Sequence, residues 1–383
     1  MASAKRCQHQ TFHRPPRVLK YHLYALHGRT GQSIWTFNTT DKVLSTPMID
    51  DGIAYFGSSE GNLHAVSALT GSEVCRYKTS GQVVSTLVVH DGTVYFGDAD
   101  RTFYALDVSV ISLEAKDVPV AKFQPAMFGS GPMRNRIFEA KPLEQLSKVK
   151  WQFQPIGARP RFGAEMTTVA PTHRKGSNGG VRSTPALVDG TLFFGSEDGH
   201  VYSVDADSVE ENWSLEIPRN FALRGLSPVE SSPAVVNGVV YFGSIGNYLY
   251  ALDVKSGQEK WRFRTDGGVF SSRLVTADSA YFGSWDGWVY AVDTASGAER
   301  WRFNTGEEVW FSPAGDGDTV FIGSDNGWLF ASDARTGEER WNFQAGDSVT
   351  STPALGIDRN YFGSMDNHLY ALDSRTGQLE WRC

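Results

Sequence analysis

Along most of the chain, short runs of β-branched and aromatic residues alternate with pairs or triplets of Gly, Asn, Asp and Ser. In residues 229–263 the runs are SSPAVV, VVYFGS, YLYALD and EKWRF. Each has the length of a strand, and no apolar stripe of 3.6-residue period competes with that reading. Asn237-Gly238 separates the first two runs and suits the positive φ angles of a two-residue hairpin. Gly243 leaves room for a neighbouring backbone or ring. Asp51-Gly52, Asp91-Gly92, Asp189-Gly190, Asp198-Gly199 and Asp286-Gly287 read as equivalent turns.

The four-run unit recurs. YFGS starts at Tyr241, Tyr281 and Tyr361 and FIGS at Phe321, so the starts are 40 residues apart. Earlier copies start at Tyr55, Tyr95 and Phe193. A tryptophan stands 20 residues after five of these starts, at Trp213, Trp261, Trp301, Trp341 and Trp381, whereas Cys75 follows Tyr55. Short strands, tight turns and this period predict an all-β fold, a β-propeller of four-stranded blades whose closure removes open sheet edges.

Seven units carry all four strands, and a half unit ending at Trp35 precedes them. We read eight blades, with residues 1–20 a degenerate N-terminal segment of the first. Seven blades with a loose arm is the alternative. Residues 21–383 are then one propeller with insertions at 108–150 and 155–180, and Trp151 is the docking residue displaced by the first. Insertions of this length in a compact domain serve a function or lack order.

The pattern A-x-D-x-x-[TS]-G-x-x-x-W at Ala251–Trp261, Ala291–Trp301, Ala331–Trp341 and Ala371–Trp381 resembles the tryptophan-docking motif of pyrroloquinoline quinone (PQQ) propellers. The Gly-His near the start of each unit and the Trp-Asp at its end that mark WD40 repeats are absent. The resemblance implies that Trp35, Trp151, Trp213, Trp261, Trp301, Trp341 and Trp381 pack between blades. It extends to BamB-type propellers, which carry such repeats without cofactor, and to quinoprotein dehydrogenases, which hold PQQ with Ca²⁺. Those enzymes often use a disulfide of adjacent cysteines, and this chain's three cysteines, Cys7, Cys75 and Cys383, are far apart.

In a repeat, function shows where the copies differ. The residue before the first-strand Ser reads Leu44, Val84, Arg182, Glu230, Phe270, Trp310 and Thr350. First strands line a propeller's channel, so Arg182, Glu230, Phe270, Arg273 and Trp310 would ring one mouth and suit a planar anionic or mixed ligand. Trp285, Trp288 and Trp328, near the second-to-third-strand turns, are candidates for an interface or for packing on the next blade. Recurrent Asp253, Asp293, Asp333 and Asp373 are turn formers. Cys75 reads as a small core substitute. No catalytic residue emerges, and the nine histidines show no metal spacing.

Net charge is −7, and no basic block interrupts the chain, which excludes a general nucleic-acid surface. No apolar run reaches the roughly 18 residues of a membrane span. With no secretory leader in the sequence as it stands, the expected compartment is the cytoplasm, or the periplasm or exterior if the true start lies elsewhere. The expected function is a monomeric binding or assembly scaffold without cofactor, meeting a protein or small ligand at the mouth. A PQQ-dependent alcohol or sugar dehydrogenase and a sensor module are the alternatives.

Overall fold

Asn237 and Gly238 take φ angles of 51° and 72°, the paired left-handed conformation that their hairpin demands. In this computed structural model residues 21–109, 113–115, 138–140, 149–155, 180–218, 228–272 and 274–383 are described. The blade built on that hairpin has strands Ala234–Val236, Val239–Ser244, Tyr248–Asp253 and Glu259–Arg264, antiparallel in chain order. Six other sheets repeat it, and a two-stranded sheet of Tyr21–Leu26 and Ser33–Thr39 precedes them.

The blades are numbered in chain order: blade 1 spans 21–39, blade 2 48–78, blade 3 88–153, blade 4 186–216, blade 5 234–264, blade 6 274–304, blade 7 314–344 and blade 8 354–382. Blade 1 is a member of the ring and not a loose arm. On one side its Trp35 indole N–H donates to the Ala68 carbonyl of blade 2 at 3.0 Å. On the other, the Trp381 indole of blade 8 donates to the Gly28 carbonyl at 3.0 Å. The fold is therefore an all-β, eight-bladed propeller, and residues 1–20 lie outside the described residues.

The other docking tryptophans make the same contact between blades. Trp151, Trp213, Trp261, Trp301 and Trp341 donate to the carbonyls of Ala206, Val254, Thr294, Ala334 and Ser374 in the next blade, at 2.8 to 3.1 Å. The outer strand carries a β-bulge beside the docking residue: in blade 5 Ala251 faces Trp261 while Leu252 faces Glu259. The ring then lies on the next blade's turn glycine. A Cβ on Gly337, at φ +76°, would stand 2.7 Å from the Trp301 ring. In blade 4 that turn position is Val209, which adopts φ 67° and packs in the cluster partly covered by Trp151.

Cys75 departs from the rule for a structural reason. The turn its side chain would meet in blade 3 is interrupted, since the first insertion leaves the sheet after Asp107. Cys75 fills the space with Val108 and Tyr55, and burial, then Glu73, pushes its thiol up to about 12. The insertion's far end differs slightly from expectation: the outer strand resumes at Val149, and Leu113–Ala115 pairs with Phe138–Ala140 within it.

The five Asp-Gly pairs divide into two kinds. Asp51, Asp91 and Asp189 take positive φ as hairpin residues. Asp198 and Asp286 do not. Their carboxylates accept the backbone N–H of His200 and Trp288 and the hydroxyls of Tyr202 and Tyr290. Asp253 accepts the Ser256 N–H and hydroxyl at 3.0 Å each, which lowers its pKa to about 2. This is the turn-forming role expected of the recurrent aspartates.

Candidate binding face at the channel mouth

First strands sit side by side around the axis. The Thr184 N–H donates to the Ser232 hydroxyl at 2.9 Å, and the Ser232 N–H to the Ser272 hydroxyl at 3.1 Å. Three residues before Thr184 and Ser232 stand the buried valines Val181 and Val229, and Val269 and Val309 hold the same position in blades 6 and 7. The variable column stands between that valine and the first-strand serine. A second column joins it, the first residue of each second-to-third-strand turn. In blades 4 and 6 these residues are Glu197 and Trp285.

The two columns make three neighbouring surfaces of different chemistry. In blade 4 the Arg182 guanidinium Nε pairs with a Glu197 carboxylate oxygen, whose other oxygen accepts the Gly180 N–H at 3.2 Å. In blade 5 burial, then the Glu197 carboxylate, raises the Glu230 pKa, while Arg182 opposes the rise. In blades 6 and 7 three rings meet. Phe270 stacks on Trp285 at 6.2 Å and meets Trp310 edge-on at 5.9 Å, and the two indoles stand 4.5 Å apart at 44°. The Trp285 indole N–H is buried with no hydrogen-bond partner among the described residues.

Of the mouth residues expected from sequence, the structure thus brings Arg182 together with Glu230, and Phe270 with Trp310. Arg273 lies outside the described residues. Trp285, expected near an interface turn, belongs to the mouth. Trp288 and Trp328 are half-buried against the cores of blades 6 and 7, and the Arg302 guanidinium covers Trp288 at 4.7 Å. Glu197 went unread in the sequence, although it shares a column with Trp285 and could have been found there.

Strand direction also places the insertions. The chain leaves blade 3 after Phe153 and enters blade 4 at Ala186, so residues 155–180 join the ring on the mouth side. Residues 108–150 join between the third and fourth strands of blade 3, at the opposite end.

Eight blades, joined by tryptophan locks at every joint except the Cys75 one, with a polar and aromatic mouth, define a PQQ-like repeat propeller. The family model for outer membrane protein assembly factor BamB matches residues 20–110, 146–284 and 285–382, and the chain belongs to that family. Among solved structures, BamB from Moraxella catarrhalis aligns with a TM-score of 0.65 at 18% identity, covering 90% of this chain and 89% of that one. Quinohemoprotein alcohol dehydrogenase from Comamonas testosteroni aligns at 0.68 and 14%, covering 91% and 68%. The computationally designed Ika8 protein aligns at 0.63 and 13%, covering 95% and 90%. At these identities the likeness is one of fold. No curated protein matches the sequence.

Proposed function

We propose that this propeller is a non-catalytic binding or assembly scaffold that engages another protein at the channel mouth. The aromatic cluster of Phe270, Trp285 and Trp310 carries the reading. Rings offer large contact area at low entropic cost, and the Trp285 indole N–H has no hydrogen-bond partner among the described residues. Beside the rings, Glu197 and Glu230 favour a cationic side chain. A protein segment pairing a carbonyl or aromatic group with Lys or Arg would satisfy both halves. Membership of a family described as an assembly factor supports the reading.

PQQ is a planar quinone bearing carboxylates, and the described mouth does not fit it. Arg182, the guanidinium among the described mouth residues, is already paired with Glu197, and Glu230 adds a second carboxylate beside it. The rings meet edge-on or tilted at Trp310 rather than framing a flat slot.

The test is photo-crosslinking from position 270 in extract of the source cells, with position 357 on blade 8, fully exposed, as control. A protein captured from 270, missed from 357 and lost in Trp310→Ala supports the proposal. Equal capture from both positions contradicts it.

A further inference from the structure

We infer that the joint between blades 7 and 8, at the end of the ring opposite the mouth, binds a small zwitterion carrying a carboxylate and an ammonium group. The site is separate from the mouth and stands whether or not the scaffold reading holds.

Departures from the repeat gather at this joint. Asn360 stands on the second strand of blade 8, where the other complete blades carry Ala54, Val94, Leu192, Val240, Ala280 and Val320. It is 0% exposed, and neither its side-chain oxygen nor its nitrogen has a hydrogen-bond partner among the described residues. Ser374 replaces Ala334 of blade 7 and Thr294 of blade 6. The Thr294 hydroxyl donates to the Ala277 carbonyl at 3.0 Å, whereas the Ser374 hydroxyl is buried and has no partner among the described residues. Val320 and Ala334 lie in one cluster with Trp301 and Tyr281 of the preceding blade. By the same register Asn360 and Ser374 both face blade 7. Phe321 of that blade sharpens the contrast. Tyr241 and Tyr281 donate their hydroxyls to the Thr294 and Ala334 carbonyls at 3.3 and 3.0 Å, and Phe321 has none to offer the Ser374 carbonyl. Leaving buried polar atoms unmet is costly, and three at one joint call for a polar occupant.

A cleft of about 280 Å³ opens at the same joint, lined by Asp316, Asp318, Arg340, Trp341, Ser374 and Arg375. Its walls carry both signs of charge. In blade 6 Arg300 bridges Asp278 and Asp293 at 3.2 and 2.7 Å. In blade 7 Arg340 reaches the Thr319 hydroxyl and Asp333 instead, at 2.7 Å each. Asp318, the counterpart of Asp278, is left with no ion pair among the described residues. Arg375 stands exposed on the blade 8 side. An ammonium group suits Asp318, and a carboxylate suits the Arg375 guanidinium with the Ser374 hydroxyl as a further donor. A ligand of one sign would meet repulsion from one pair of walls. At roughly 30 Å³ per water-sized group the cleft takes about nine such groups, the size of a free amino acid.

The probes are the free L-amino acids, titrated singly into the full-length protein by calorimetry up to about ten millimolar, beside glucose, acetate and methylammonium. Saturable binding of at least one amino acid is expected, weakened about tenfold or more by Asp318→Asn and by Arg375→Gln. Both positions are exposed, so the fold should survive these changes. Asn360→Val, which restores an apolar residue, should weaken binding and also raise the urea midpoint, a combination that a purely structural asparagine would not give. Three results would overturn the inference: no amino acid bound at the highest concentration, binding undiminished in any of the three variants, or glucose, acetate or methylammonium bound as tightly.

Discussion

Trp381 and Gly28 close the ring: the indole N–H of the last strand donates at 3.0 Å to a carbonyl in the first blade, 353 residues away in sequence. The Tyr361 hydroxyl donates to the same carbonyl at 3.1 Å. Closure thus uses the same lock that joins neighbouring blades elsewhere.

Replacing Trp381 by alanine should strip both the ring contact with Gly31 and the hydrogen bond, at a cost of about 3 kcal/mol or more in urea unfolding. Trp381→Phe keeps the ring and loses the donor, so about 1 kcal/mol is expected. Similar losses in both variants would show that the hydrogen bond dominates closure.

The turn glycines are expected to resist any side chain. Gly337→Ala places a Cβ at 2.7 Å from the Trp301 ring and forces a left-handed residue to carry it. A loss of about 2 kcal/mol in thermal or urea unfolding follows from strain and displaced packing together. Gly190→Ala, with the same φ sign and no atom within 4 Å, should cost less than half as much.

Asp98 replaces the serine of YFGS in blade 3 and is fully buried. Its carboxylate accepts the Ser80 and Tyr104 hydroxyls and the N–H groups of Gly81, Asp100 and Thr102, at 2.8 to 3.0 Å. Asp98→Ala should cost about 3 kcal/mol by orphaning these donors. Asp98→Ser, the residue of the other blades, should recover part of that in equilibrium unfolding.

Glu230 should make stability fall with rising pH. Its folded pKa is raised, chiefly by burial and then by Glu197, so the native state holds the proton longer than the unfolded chain. The group carries no penalty below the unfolded carboxyl range and acquires one as pH climbs through the raised value. Glu230→Gln should therefore match the wild type near pH 4 and exceed it near pH 7 in urea midpoints. A variant weaker at pH 7 would instead mean that the ion attraction of Arg182 dominates.

The ring was legible because its locks are periodic. Each tryptophan, turn glycine and hairpin pair repeats at fixed spacing, and repetition separates a rule from chance. The mouth was only half legible for the same reason. Arg182, Glu230, Phe270 and Trp310 stood out in a single column, whereas two further members of the mouth, Glu197 and Trp285, stand in a second column brought near by the strand turn. Asp98 escaped notice because one carboxylate in place of a hydroxyl looks conservative, although it gathers five donors. Cys75 became intelligible only with the interrupted turn it would have met.

The most direct measurement of the central claim is a calorimetric titration of the purified protein with PQQ and Ca²⁺, beside the Arg182→Ala, Trp310→Ala double variant. A binding scaffold whose mouth is lined by Glu197, Glu230 and tilted rings should show no saturable heat up to about millimolar quinone. Micromolar binding that the double variant loses would contradict that account and place a quinone at the mouth.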